Sequence, residues 1–482
     1  MRRLNVPKKA LTIALLCATL AISAPAQVFT TLVNFAGEDG YPRLMSLVQG
    51  HDGNLYGTTS YGGLQGGGQV FVMTPEGTVT TLYSFCSQPP NCSDGFSPWG
   101  GLTLATDTNF YGTTNEGGTN NSGTAFRVSS QGVLTTLHRF AGPDGLAPQT
   151  PPVQAIDGFF YWSVYDSSNG YGVIFKSTGE GDGKVLYSFC PGRRNCSQGA
   201  SPTMLVPGSD GNLYGTTAMG GSDGCSQGCG TVFKITAEGT LTTLHVFCND
   251  FNCADGTYPL GGLVRGSDGN FYGTTYGGGT NSRGTIFRIT PAGKLTTLYS
   301  FCPQSDCTDG GSPEVAMIEA TDGNLYGTTA FGGTSSCAGA YAGCGTLFRI
   351  TPTGKLTTLH SFDQTDGAYP NGLTQATGGT FYGTTLSYGQ MSGGTVFSLD
   401  MGLGPFISFV RAIGKVGQTG GILGQGFTGT TSVTINGIQA SFTVVSDTYI
   451  TATVPAGATT GYVTVTTPSG ILTSNVPFHV IP

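Results

Sequence analysis

A pentapeptide reading Leu/Phe-Tyr-Gly-Thr-Thr occurs six times intact along this chain and once in decayed form, as Phe-Tyr-Trp-Ser-Val, and each copy is followed by a Gly-x-Val/Leu/Ile/Ala-Phe motif. The motif tyrosines are Tyr56, Tyr111, Tyr161, Tyr214, Tyr272, Tyr326 and Tyr382, separated by 55, 50, 53, 58, 54 and 56 residues. A fixed period of that size is the signature of a fold built by stacking one supersecondary unit. Residues that recur in every unit are explained by every unit needing them. The repeat therefore constrains architecture far more tightly than chemistry.

One complete unit, residues 241–293, shows what is repeated. LTTLHVF (241–247) alternates like a strand, a cysteine-closed loop leads to Asp255-Gly256, and YPLGGLVRG (258–266) is a second strand. Asp268-Gly269-Asn270 is a hairpin turn, FYGTT (271–275) a third strand and GTIFRIT (284–290) a fourth, after which Pro291-Ala292-Gly293 turns the chain into the next unit. Asp-Gly and Pro-x-Gly supply the unusual dihedrals of tight turns. Four short antiparallel strands make one propeller blade, so residues 28–400 are expected to form an all-β, seven-bladed β-propeller of four-stranded blades. The last unit ends at Gly394-Thr395-Val396-Phe397 without an outer strand, while Thr30-Thr31-Leu32-Val33-Asn34-Phe35 stands alone at the other end. This N-terminal strand is expected to complete the seventh blade and close the ring, leaving no open edge.

The two ends of the chain differ from the repeats. Arg2, Arg3, Lys8 and Lys9 precede an apolar run from Ala10 to Ile22, and Ala24-Pro25-Ala26 offers small residues for cleavage before Gln27. Residues 1–26 thus read as a secretory signal peptide, too short in its apolar run to anchor the chain across a bilayer. From Pro405 to Pro482 the repeat stops and cysteine disappears, leaving short alternating strands with turns at Asn436-Gly437 and Pro455-Ala456-Gly457. This pattern predicts a small β-sandwich over 405–482. Without the signal, 16 basic residues face 27 acidic ones, which excludes nucleic acid as a partner. The expected setting is extracellular, cell-surface or periplasmic, with no membrane span after cleavage.

Cysteine usage fits export. The twelve cysteines after the signal fall into near-neighbour pairs: Cys86 with Cys92, Cys190 with Cys196, Cys225 with Cys229, Cys248 with Cys253, Cys302 with Cys307, and Cys337 with Cys344. Six local disulfides are expected, since the pairs lack CxxC spacing and nearby histidine partners for a metal. No metal or other cofactor is expected.

Potential catalytic groups mostly have structural explanations. Thirteen of the 20 aspartates precede glycine, the position of a turn residue. His138, His245 and His360 occupy the slot filled by Tyr83, Tyr187 and Tyr299 in other units, which marks a packing position. The Thr-Thr pairs recur too regularly to be nucleophiles, and no catalytic residue is singled out. One asymmetry points toward function. Strands alternate in direction, so the loops after TTL-x-x-F and after YGTT share one face, and the DGN and Pro-x-Gly turns share the other. All six cysteine pairs fall on the first face, with Trp99, Arg193-Arg194 and the varying residues Tyr61, Glu116, Met219 and Phe331. Braced, variable loops on a rigid scaffold suit recognition, although stapling against proteolysis also explains them. Tyr61, Trp99 and Phe331 are the candidate ligand contacts.

The segment GQGFTGTTSVTINGIQASF, followed by SDTYITATVPAGATTGYVTV, closely resembles the TIG (IPT) immunoglobulin-like domain, which implies an accessory or adhesive module without catalysis. DGNLYGTT, GTVFKIT and TTLYSF resemble the GloVer-type tandem repeat of exported bacterial proteins, found beside varied C-terminal surface-attachment modules. A weaker likeness joins the DGN-Leu-aromatic-x-Thr and VF-Lys/Arg-Ile-Thr patterns to the propeller of the virginiamycin B lyases, but no matching histidine and glutamate set is found. The expectation is a non-catalytic binding or adhesion protein whose partner is an extracellular polysaccharide or protein. A polysaccharide-active or lyase-type propeller enzyme using the same face is the alternative.

Overall fold

The computed structural model describes residues 27–36, 40, 46–168, 170–193, 196–221, 224–250, 252–337 and 343–481. The expected signal peptide and Arg194 lie outside them. The described repeat region forms seven four-stranded antiparallel sheets, six of them running in chain order from an innermost to an outermost strand. In the fifth blade these strands are Leu263–Arg265, Phe271–Thr275, Thr285–Ile289 and Leu295–Ser300. The seventh sheet is completed from the far end of the chain: Val28–Asn34 pairs antiparallel with Thr395–Asp400, from Val28 opposite Asp400 to Asn34 opposite Thr395. The N-terminal strand closes the ring as expected.

Each blade carries an irregularity at the same place, where its outermost strand pairs with its third, as between Ile286 and Phe287 or between Thr31 and Val33. An extra residue there steepens the local twist.

The repeat motif is the packing code between blades. The five motif positions of the second strand are buried in every blade, and its tyrosine meets the residue before the tyrosine of the next blade. Where that residue is Phe the rings stack: Tyr56 on Phe110 at 4.0 Å, Tyr111 on Phe160 at 4.0 Å, Tyr214 on Phe271 at 4.2 Å. Where it is Leu, as for Tyr161 with Leu213 and Tyr272 with Leu325, the same slot is filled by an aliphatic side chain. The last such cluster joins Tyr382 and Val396 of the seventh blade to Leu47, Leu55 and Phe71 of the first.

Glycine closes the seams. A Cβ on Gly230, whose φ is +95°, would lie 2.4 Å from the Thr217 carbonyl oxygen and 2.5 Å from Cδ of Pro259 in the next blade, so only glycine fits.

The C-terminal residues form a sandwich of two four-stranded sheets around Phe427, Ile450, Val465 and Phe478, with a parallel pair between Ile413–Lys415 and His479–Ile481. The module sits on the propeller face formed by the DGN turns. Leu423 and Tyr449 share a buried cluster with Tyr56, Leu102 and Phe110 of the first two blades. Arg411 donates to the Ala155 carbonyl oxygen at 3.2 Å, Phe406 N–H to that of Thr377 at 2.9 Å, and Arg265 meets His479. The contacts thus reach blades one, two, three, five and seven.

Candidate functional site

The side chains that look reactive in the repeat are engaged in structural bonds. The aspartate of each DGN turn accepts from the backbone and side-chain amides of the following asparagine and from the hydroxyl of the motif tyrosine. Tyr56 donates to Asp52 at 2.7 Å, Tyr214 to Asp210 at 3.0 Å and Tyr326 to Asp322 at 2.9 Å. Burial and the aspartate raise the pKa of these phenols, that of Tyr272 to about 12, so they remain neutral donors.

The threonines pair in two ways. The first of each pair donates to the chain of the next blade, as Thr58 to the Gly100 carbonyl oxygen at 3.2 Å and Thr216 to that of Pro259 at 3.0 Å. The second binds within its own blade, as Thr329 to the Phe331 carbonyl oxygen and to Thr346 Oγ1, both at 2.9 Å. Thr274 departs from this pattern: its hydroxyl is buried without a partner.

The histidines are packing residues that also hold loops. His138, His245 and His360 contact Asp144, Asp255 and Asp366 at 2.7, 2.8 and 2.7 Å, and Tyr83 and Tyr299 do the same with Asp94 and Asp309 at 2.7 and 2.8 Å. Glu319, whose carboxyl is pushed up by burial, accepts from the Ser267 backbone N–H at 2.7 Å and its hydroxyl at 2.8 Å, bridging blades six and five.

The six cysteine pairs are bridged with the expected partners. Cys86 joins Cys92, Cys190 joins Cys196 and Cys225 joins Cys229, while Cys248 joins Cys253, Cys302 joins Cys307 and Cys337 joins Cys344. All six lie on the face opposite the C-terminal module. Four of them, ending at Cys92, Cys196, Cys253 and Cys307, close the loop that leads from an outermost strand into the next blade, and the other two, ending at Cys229 and Cys344, close the loop after the second strand. In blade four the sulfurs of Cys225, Cys229 and Cys248 lie within 4.8 Å of one another, but as disulfides they offer no thiolate to a metal. Tyr61 is 41 % exposed in a loop of blade one. Trp99 is half-buried and donates its indole N–H to Ser97 Oγ at 2.9 Å. Phe331 is also half-buried, edge-on to Tyr369 with ring centroids 5.7 Å apart.

The innermost strands enclose a central cavity of about 670 Å³, whose walls are mainly apolar: Leu47, Leu102, Met204, Val264, Met317 and Leu373 among them. A second space of about 300 Å³ continues from it, sharing Leu47, Val48, Leu102, Thr103 and Thr374, and is lined on its far side by Phe409, Val410 and Leu423 of the C-terminal module. The cavity is therefore a well floored by that module, with its mouth on the disulfide-bearing face.

In six blades the residue after the loop proline differs: Trp99, Gln149, Thr203, Leu260, Glu314 and Asn371 follow Pro98, Pro148, Pro202, Pro259, Pro313 and Pro370. Gln149, Thr203, Leu260 and Glu314 line the well directly. The sequence reading reached only Trp99 of this set. The available signal was variation beside a recurring proline at the start of each innermost strand.

Fold and site together define a closed β-propeller with one face covered by an immunoglobulin-like module. The chain belongs to the Gloeobacter/Verrucomicrobia repeat family, which matches residues 19–167, 135–341 and 304–426, and it carries an IPT/TIG domain at 405–480. No curated protein matches it in sequence. Similar solved structures include the periplasmic gluconolactonase of Pseudomonas aeruginosa, at 18% identity over 74% of this chain and 99% of that one, TM-score 0.45. Others are a putative 6-phosphogluconolactonase of Bacteroides uniformis, at 16% over 65% and 83% with TM-score 0.42, and a gluconolactonase of Xanthomonas campestris, at 13% over 64% and 87% with TM-score 0.40. Six disulfides fit an exported protein, and among the described residues no helix is long and apolar enough to cross a membrane.

Proposed function

We propose that this is an exported binding protein whose ligand, an extracellular polysaccharide or protein, docks on the disulfide-bearing face around the mouth of the central well. The observation that carries the reading is the difference between the two faces. The turn face is built from short turns and packs against the C-terminal module, whereas the opposite face combines six bridged loops with a mouth whose residues differ among the described blades. A loop already held by a short disulfide loses little freedom on binding, which favours recognition at low ordering cost. Tyr61, Trp99 and Phe331, in loops of that face, are the candidate contacts, with large rigid rings suited to sugar or apolar surfaces.

The full-length chain is to be tested on arrays of extracellular polysaccharides and cell-envelope proteins. Saturable binding without turnover supports the reading. Depolymerised or rearranged product, lost on replacing a single carboxylate or histidine, supports the enzyme alternative instead.

A further inference from the structure

We propose that the well holds the alkyl chain of a single-tailed amphiphile, inserted end-on from the disulfide-bearing face with its polar head left at the mouth. The proposal rests on the reading above only in taking that mouth as the entrance.

Three features of the well select this ligand class. Its volume of about 670 Å³ is in the range that encloses a small ligand. Its lining is mainly apolar, with Val48, Met204, Val206, Val264 and Ile318 half-buried along it and Pro151 at the third blade, and among the described lining residues only Glu314 is charged. Gln149, Thr150 and Glu314 stand at the mouth, at the starts of innermost strands, while the deeper hydroxyls of Thr103 and Thr374 are tied to the carbonyl oxygens of Pro152 and Leu47 in neighbouring blades. A polysaccharide chain would exchange its water for hydrocarbon at depth, at a cost of a few kcal/mol for each hydroxyl left without a partner. An alkyl chain has no such cost and removes apolar wall from water.

The far end also suits a chain terminus. Phe409, Val410 and Leu423 of the C-terminal module line the deeper space, so the end of an alkyl chain would meet hydrocarbon there. Without the module that end would face solvent. This gives the module a part in binding: it makes the channel blind.

The polar head has partners at the mouth. Gln149 can donate or accept hydrogen bonds there, and Glu314 can accept.

The test uses the full chain and linear primary alcohols from hexanol to decanol, with binding followed by calorimetry below their solubility limits. Affinity is expected to rise about four-fold per added methylene, the ratio equivalent to burying one such group, with one alcohol bound per chain. Ala316→Trp, which puts an indole into the well, is expected to weaken decanol binding at least ten-fold. Leu260→Trp at the mouth serves the same purpose if the first variant fails to fold. Absence of saturable binding would overturn the proposal, as would a decanol affinity that neither folded variant changes. Decanol binding by a chain that captures nothing on the arrays would leave this site standing and remove the proposed function. Array binding without alcohol binding would do the reverse.

Discussion

Thr448 of the immunoglobulin-like module donates its hydroxyl to the carbonyl oxygen of His51 at 2.6 Å, joining residues 397 positions apart in sequence. Around this bond Leu423 and Tyr449 are buried with blade-one and blade-two side chains, so the module is part of the propeller's packing. Leu423→Ala is expected to cost about 2–4 kcal/mol of stability, the usual penalty for emptying a buried leucine site. Urea denaturation of the full chain measures it, and a change within error would mean that the module is only tethered.

Ring closure depends on Val28–Asn34, which supplies the fourth strand of the seventh sheet. Deleting residues 28–35 from the mature chain exposes the edge of Thr395–Asp400 and unpairs the two ends of the ring. The expected outcome is aggregation or a large fall in melting temperature, read by light scattering and calorimetry. A monomer melting at the wild-type temperature would contradict this closure.

Gly230 and Gly211 provide a paired test of the seams. Both have positive φ, +95° and +79°, but a Cβ on Gly230 meets Thr217 and Pro259 while one on Gly211 has nothing within 4 Å. Gly211→Ala is expected to cost about 1 kcal/mol from backbone strain alone, and Gly230→Ala at least twice that. Equal losses in chemical denaturation would remove the argument that glycine is required by the neighbouring blade.

His479 gives the interface a pH dependence. Burial, then the nearby Arg265 guanidinium, lowers its pKa from 6.5 to about 4. The docked histidine stays neutral while the unfolded one binds a proton below pH 6.5. This contribution to stability is therefore complete above pH 6.5 and is lost progressively as pH falls toward 4. His479→Gln should flatten that part of the stability profile between pH 7 and 4, and an unchanged slope would place the titration elsewhere.

Much of the fold could be read from the chain because the repeat repeats its reasons. The Tyr of each Leu/Phe-Tyr-Gly-Thr-Thr copy and its glycine serve packing that recurs from blade to blade, the DGN turn recurs in four blades, and the unmatched strand at residues 30–35 announced closure. Docking of the C-terminal module could not be read. It depends on Leu423, Tyr449 and Arg411, single residues in an otherwise ordinary sandwich, meeting different atoms on blades one, two and three. The site was half legible. Strand direction placed the cysteine loops and Trp99 on one face, but the well and its mouth arise where seven strands converge, so Gln149, Leu260 and Glu314 became neighbours only in three dimensions.

The central claim is that binding belongs to the mouth of the well and not to the turn face. Its most direct test compares two full-length variants on the polysaccharide and envelope-protein arrays. One carries Gln149→Ala, Leu260→Ala and Glu314→Ala at the mouth, and the other carries Asn212→Ala and Asn324→Ala in exposed DGN turns. The account predicts that the mouth variant loses at least ten-fold in affinity with little change in melting temperature, while the turn variant binds as wild type. Full binding by the mouth variant together with loss in the turn variant would contradict it.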